Sequence, residues 1–251
     1  MIIDDTTRFQ SITEERKGKI QIVCSAYDSV LAKFAYASAS ITTGPLFYDV
    51  LEHYGVKTLD ELKAKNPKAA YEEIIRPNLD NGIAFAKRLV PKSQHPVLSP
   101  SIFEATKDRW TQDEYMFLWY HVLDHKVTTI HMGPGWNYSN GQTEEYLRAM
   151  QIWYRLVRED RGIAIFDHDG NPIPIDRGAG LLADAITDLA GRGFRTDTLL
   201  GHLKELHGCT GVLTQYGTSA HDYHYHMPPD FTHEQASMVW QSRRRAEAVA
   251  A

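Results

Sequence analysis

The sequence has few cysteines, no long apolar run and no excess of basic residues. Its two cysteines, Cys24 and Cys209, are far apart and neither lies in a Cys-x-x-Cys pair, which argues against a disulfide framework and a thiolate zinc site. Because no stretch of about 18 apolar residues occurs, we expect no membrane-spanning helix. The first residues do not combine a basic segment with an apolar one, so we expect no export signal and a cytoplasmic protein.

Basic residues are also too few for a polymer-binding surface. The 251 residues carry a formal net charge of -5, whereas proteins that bind DNA or RNA usually present a strongly basic face. The arginine run at 243–245 is a local exception, and such runs are more often part of a solvated helix face. A nucleotide ligand would therefore be a small molecule rather than a nucleic-acid polymer.

The order of apolar and amphipathic segments predicts an α/β doubly wound fold of the flavodoxin or Rossmann type, with a mostly parallel sheet. Strands are predicted at residues 20–26, 95–103, 127–132 and 162–166, the last extended into a hairpin by the turn at 167–172. Helices are predicted at residues 46–54, 58–65, 68–89, 111–123 and 178–189, and from Ser139 onward. Pro77 is expected to interrupt or kink the helix at 68–89.

Three regions follow from this pattern. Residues 1–18 are polar and predicted to form an N-terminal arm, and residues 19–194 to form the catalytic domain. Residues 195–251 are predicted to be a helical appendage, with helices at 198–206 and 232–248 around a glycine-rich and histidine-rich stretch.

The most informative segment is the helix that follows the strand at 127–132 and a glycine-rich loop. Ser139-x-x-Gln142 is a capping-box pattern, which fixes where the helix begins. In that register Glu145 points toward the body of the protein, whereas the opposite, solvated face is predicted to carry Glu144, Arg148, Gln151 and Arg155. An inward carboxylate is costly unless it is paired or used, so Glu145 is a candidate catalytic residue.

This segment resembles a known family signature. A Gly-Trp pair followed by Ser139-x-Gly141-x-x-x-Glu145-x-x-x-Ala149 is similar to the motif of the nucleoside 2-deoxyribosyltransferase-like superfamily, which includes deoxynucleoside 5′-monophosphate N-glycosidases. The motif covers residues 130–150, and the resemblance in architecture covers residues 18–170. It implies that Glu145 is a nucleophile at C1′ of a nucleoside or nucleotide and that the serine at position 139 contacts a 5′-phosphate. It also implies a homo-oligomer without cofactor or metal.

Other residues are candidates by position. Asp113, at the start of the helix at 111–123, either protonates the leaving base or only complements the helix dipole. Ser139, Asn140 and Gly141 form a helix N-terminus that suits a phosphate or sugar hydroxyl, and pure capping is the alternative. The remaining substrate-binding candidates are Trp136 of the Gly-Trp pair and, in the loop after the first predicted strand, Tyr27 and Asp28.

Two other functions stay open. The same sheet could serve a non-catalytic nucleotide-binding or signalling module, since a fold does not confer chemistry. The cluster at 221–226, with three histidines and Asp222, could bind a divalent metal and would then indicate a metallohydrolase. A phosphoribohydrolase of the cytokinin-activating type would need Pro-Gly-Gly-x-Gly-Thr-x-x-Glu, which the loop beginning at Gly133 does not supply.

Overall fold

Four parallel strands form the centre of the fold. The computed structural model describes residues 8–104, 110–156 and 163–215. The strands are β1 (Phe34–Ser38), β2 (Val97–Leu98), β3 (Val127–Met132) and β4 (Ala164–Phe166), and they pair in the order β2-β1-β3-β4. The predicted α/β doubly wound fold is therefore confirmed.

Helices flank this sheet on both faces. In the described residues they are α1 (Glu14–Ser29), α2 (Pro45–His53), α3 (Leu59–Lys65), α4 (Arg76–Leu89), α5 (Pro100–Glu104), α6 (Gln112–Lys126), α7 (Asn140–Leu156), α8 (Ile175–Gly191) and α9 (Asp197–Gln215). A π-helical turn, Ala70–Ile75, leads into α4. The change from π to α geometry falls at the predicted interruption, because Pro77 has no N–H for the preceding turn. None of the described helices has the length and apolar character needed to cross a membrane.

The first strand lies later in the chain than predicted. Residues 20–26 belong to α1, which Thr13 caps by accepting a hydrogen bond from the amide of Arg16 at 3.4 Å. Ile20 and Cys24, four residues apart, are buried, whereas Ile22 is 72% exposed, so the apolar run follows a helical period. The prediction of a strand at 20–26 was wrong, and β1 occupies a run of small residues and aromatics that was not assigned.

Most of the other predicted helices and strands agree with the structure. The strand at 127–132 is confirmed, as are the helices predicted at 58–65 and 111–123, which begin with complete capping boxes at Thr58 with Glu61 and at Thr111 with Glu114. The predicted hairpin is present, since Ile173 donates from its amide to the carbonyl of Ile165 at 2.9 Å. The strand at 95–103 is only half right, because Pro100 begins α5 instead.

The connections between strands create a switch point at the middle of the sheet. β1 leads to β2 through α2 to α4, and β3 leads to β4 through α7. Along the sheet, the first crossover runs from β1 outward to β2 and the second runs from β3 outward to β4, in the opposite direction. Because connections between parallel strands are right-handed, the helices of the two crossovers lie on opposite faces of the sheet. Accordingly, Ala37 of β1 packs with Phe85 and Leu89 of α4, whereas Tyr36 belongs to the main core. Ligands of doubly wound folds bind at the carboxyl ends of strands at such a point, here between β1 and β3.

The N-terminal segment and α9 both pack on this framework. Phe9 is buried, and its ring meets the edges of Phe117 and Tyr120 on α6 at 5.3 Å between centroids. The predicted arm therefore contributes to the core from residue 8 onward. In the predicted appendage, α9 packs against α7 and α8, and the helix predicted at 232–248 lies outside the described residues.

Candidate active site

Glu145 lies at the switch point and is held by two hydroxyl groups of β1. Its side chain is buried, as the register of α7 predicted. Tyr36 Oη donates to Glu145 Oε1 at 2.6 Å, and Ser38 Oγ donates to Oε2 at 2.5 Å. Each carboxylate oxygen therefore receives one hydrogen bond from the strand, which fixes the plane of the carboxylate.

The environment of Glu145 opposes ionisation and brings its pKa close to neutral pH. Burial raises the pKa of Glu145 to about 7, although the two hydroxyl hydrogen bonds oppose the rise; the charge of Glu144 adds to it. Burial also holds the pKa of Tyr36 well above its ordinary value, so this phenol keeps its proton and donates. Within the described part of the chain, no lysine, arginine or histidine forms a hydrogen bond or ion pair with Glu145.

A cleft opens beside this carboxylate. Its volume is about 440 Å³, counting the space open to solvent. Besides Glu145, hydroxyl, amide and apolar groups line it: Ala39, Ile41, Thr42, Thr43, Pro100, Gln112, Tyr115, Met116, Trp119, Ser139, Gly141 and Gln142. The cleft thus combines a single carboxylate with neutral polar groups and an apolar wall on α6, a composition suited to a small, partly aromatic ligand.

The loop after β1, residues 39–43, forms one wall and is held in place by Gln142. Ser40 Oγ donates to Gln142 Oε1 at 2.6 Å, and Gln142 Nε2 donates to the carbonyl of Ser38 at 3.0 Å. The loop ends at Gly44, whose φ of 112° favours glycine and where a Cβ would lie 2.5 Å from Ser40 Oγ. Sequence reasoning missed this loop because β1 was misplaced, although Gly44-Pro45 before a helix signalled a strand-to-helix turn.

Only half of the predicted capping box at the start of α7 forms. Ser139 Oγ accepts from the amide of Gln142 at 3.4 Å, but the Gln142 side chain turns to β1 instead of the backbone of Ser139. Ser139 and Gly141 line the cleft, and the amide of Asn140 donates to Thr43 Oγ1 at 3.0 Å. Binding of substrate by these three residues stays a prediction.

Trp136 lies in the core rather than in the cleft. Its side chain is buried and packs against the ring of Tyr146, with 4.6 Å between centroids. Gly135 precedes it with φ of 67°, and a Cβ there would lie 2.3 Å from Pro45 Cγ. This tight turn directs the indole into the core, so Trp136 does not line the cleft, and substrate binding by Trp136 stays an untested prediction.

Tyr27 and Asp28 lie at the other end of the sheet. Both belong to the last turn of α1, and Tyr27 meets the edge of Phe34, the first residue of β1, at 6.2 Å. Asp28 pairs with His121 Nε2 at 2.9 Å. The cleft is at the carboxyl end of β1, and these two residues do not line it, because the strand that was predicted to precede them is part of α1. Their contact with substrate stays an untested prediction.

Asp113 forms hydrogen bonds with the N-terminal segment and does not line the cleft. Arg8 Nη1 lies 3.0 Å from Asp113 Oδ1, and Ser11 Oγ donates to Oδ2 at 2.6 Å. The hydrogen bond from Ser11, with the contribution of Arg8, lowers the pKa of Asp113. A carboxyl group that is ionised at neutral pH is a poor proton donor, and it is Gln112, not Asp113, that lines the cleft. These contacts favour the helix-end role.

Glu144 and Arg148, on the face of α7 that was predicted to be solvated, are buried. Arg8 donates to Glu144 Oε1 from Nε at 3.0 Å and from Nη2 at 2.8 Å, and Tyr120 Oη donates to the same oxygen at 3.0 Å. Arg148 is 1% exposed and pairs with Asp124 at 2.5 Å. The N-terminal segment and α9 pack over these two residues, and their charges are tolerated because each has a partner.

The predicted histidine cluster at 221–226 lies outside the described residues. Among those that are described, no group of three histidine, cysteine, aspartate or glutamate side chains could hold a metal ion. No protein-family model, curated protein or solved structure matches the chain. The residues of the cleft are therefore what bears on function.

Proposed function

We propose that the protein cleaves or transfers the N-glycosidic bond of a nucleoside or nucleoside 5′-monophosphate, with Glu145 as the nucleophile at C1′. One observation carries the proposal: a buried carboxylate at the switch point is oriented by two hydroxyl groups and borders an open cleft lined by neutral polar and apolar groups. The resemblance of the Ser139-to-Ala149 motif to deoxyribosyltransferase-like enzymes supports the same reaction.

The geometry of Glu145 suits an oxocarbenium-like transition state. Positive charge develops at C1′ as the base departs, and a carboxylate in apolar surroundings attracts that charge more strongly than one in water. The bonds from Tyr36 and Ser38 use one lone pair on each oxygen and leave the others for C1′. A pKa of about 7 leaves a substantial fraction of Glu145 ionised at neutral pH.

The reaction has two steps. A carboxylate oxygen of Glu145 forms a bond to C1′ while the C1′–N bond breaks, and the base leaves with the bonding electrons and takes a proton from solvent or a cleft donor. Water or a second base then attacks C1′ and releases the carboxylate. On the α6 side, Gln112 offers an amide to the base, and Met116 and Trp119 offer it an apolar surface.

A substrate panel tests this proposal. The wild-type protein and Glu145→Gln are incubated with nucleosides and nucleoside 5′-monophosphates, in ribose and deoxyribose forms, and released base is measured by chromatography. We expect release by the wild type only, and a 2′-fluoro analogue should leave a glycosyl adduct on the peptide that contains Glu145. Binding without release in the wild type would instead support a non-catalytic nucleotide-binding module, and equal release by both proteins would exclude Glu145 as the nucleophile.

The proposal includes a cytoplasmic homo-oligomer, as the resemblance and the sequence imply. Light scattering coupled to size-exclusion chromatography measures the mass in solution directly. A mass equal to one chain of 28.5 kDa would contradict the oligomer.

A further inference from the structure

Arg8 joins the two helices whose first turns border the cleft. Its guanidinium donates twice to Glu144 on α7 and once to Asp113 on α6, and each of these carboxylates is adjacent in sequence to a residue that lines the cleft. Glu144 precedes Glu145, and Asp113 follows Gln112. One cation therefore joins the two helices that line the cleft through residues next to the lining ones.

Glu144 and Glu145 are two buried carboxylates on consecutive residues. The charge of Glu144 opposes the ionisation of Glu145, since like charges in a region of low dielectric repel. Among the described residues, Arg8 is the cation that donates to Glu144, and it does so with two nitrogens on one oxygen. Without Arg8, less of the negative charge of Glu144 would be compensated, and it would act more strongly on Glu145.

The other described ionisable groups near Glu144 and Glu145 do not compensate the charge of Glu144 as Arg8 does. Those around Glu145 are Tyr36 of β1, Tyr115 of α6 and Glu144 of α7, and those around Glu144 are Arg8, Tyr120 of α6, Arg148 of α7 and His202 and Glu205 of α9. Arg148 pairs with Asp124 at 2.5 Å. Burial lowers the pKa of His202, which is therefore uncharged at neutral pH.

We propose that Arg8 is a positioning residue of this site: it neutralises Glu144, which lets the neighbouring Glu145 ionise, and it ties α7 to the first turn of α6. The kinetic consequence rests on the function proposed above, whereas the electrostatic consequence does not. The two are therefore tested separately.

Carboxyl-carbon NMR of protein labelled at glutamate measures the ionisation of Glu145 without any substrate, and the resonance lost in Glu145→Gln assigns the signal. Arg8→Gln should raise the pKa of Glu145, and Glu144→Gln should lower it, each by about 0.5 pH unit or more. Arg8→Lys, which keeps the charge but not the paired nitrogens, should leave it near the wild-type value. A general loosening of the fold would instead shift the pKa of Glu145 in the same direction in Arg8→Gln and in Glu144→Gln.

Arg16→Gln is the matched control. Arg16 also joins the N-terminal part of the chain to a carboxylate in the first turn of α6, Glu114, and its side chain is 38% exposed, against 37% for Arg8. Glu114 is not next to Glu145, so this variant should weaken the fold without changing the titration of Glu145. An equal shift in Arg8→Gln and Arg16→Gln would overturn the proposal.

Other outcomes also decide the matter. An unchanged pKa of Glu145 in Arg8→Gln, or a raised pKa of Glu145 in Glu144→Gln, overturns the proposal. If Arg8→Gln does not fold, the direction in which Glu144→Gln shifts the pKa of Glu145 decides. Where the substrate panel gives turnover, the acid limb of the kcat/KM profile should move with the NMR titration. A panel without turnover contradicts the proposed function and leaves the NMR test of Arg8 intact.

Discussion

The buried carboxylate of Glu145 should make the protein less stable as it ionises. Its pKa is about 7 in the folded protein and 4.5 in an unfolded chain, so the folded state binds the proton more tightly. The stabilisation from that proton is complete below pH 4.5 and is lost as the pH rises through 7. At about 1.4 kcal/mol for each pH unit of difference, the loss amounts to about 3 kcal/mol of unfolding free energy.

Glu145→Gln removes the loss of unfolding free energy that ionisation of Glu145 causes, and it changes the shape of the side chain little. A glutamine amide has nearly the volume of a protonated carboxyl group and, like it, offers one donor and one acceptor side to Tyr36 and Ser38. Variant and wild type should therefore have similar unfolding free energies at pH 4.5. At pH 8 the variant should be more stable by up to about 3 kcal/mol, although it is inactive.

Urea unfolding at several pH values between 4.5 and 8 measures the difference. Glu114→Gln serves as a control of opposite sign, because the hydrogen bond from Arg16 lowers the pKa of Glu114 to about 2. Its stabilisation is present above pH 4.5 and is lost only as the pH falls toward 2, so Glu114→Gln should be less stable than wild type by a constant amount from pH 5 to 8. A constant difference for Glu145→Gln over the same range would refute the reasoning.

Three further predictions test neighbouring parts of the site. Tyr36→Phe removes one hydrogen bond to the Glu145 carboxylate, so it should move the acid limb of the kcat/KM profile to higher pH and reduce turnover by roughly tenfold or more; an unmoved limb would contradict this. Asp113→Asn should cost about 0.3–1 kcal/mol of stability and slow natural and activated substrates alike, whereas selective slowing of natural substrates would make Asp113 the proton donor. Prolonged chelation should not change the rate, and loss of activity with recovery on zinc would favour the metal alternative at 221–226.

Local signals in the sequence were enough to define α7 and its inward carboxylate. The apolar run at 127–132, the glycines after it and the hydroxyl of Ser139 act within a few residues of one another, and the structure follows them. The same holds for the capping box at Thr111, where cap and partner are three residues apart. These short-range predictions were confirmed, except that Gln142 does not complete the capping box of Ser139.

The predictions that were wrong concerned features that depend on contacts between distant segments. β1 consists of five residues, mostly small, and it is a strand because it lies between β2 and β3; its own composition is a weak signal. Ile22 and its neighbours looked like a buried strand, but their burial is set by the packing of α1 on α6. Glu144 and Arg148 looked solvated because nothing in their own helix indicates that Arg8 and α9 cover them.

The hydrogen bond between Tyr36 and Glu145 joins residues 109 positions apart, and the bond between Arg8 and Glu144 spans 136 positions. Closing loops of this size costs entropy that is recovered only when the intervening elements have packed. During synthesis, the partner of Arg8 and the carboxylate that Tyr36 contacts emerge only after more than half of the chain. We therefore expect the site to assemble late in folding, and the amide protons of its loop, residues 39–43, to exchange before those of the sheet when the protein begins to open.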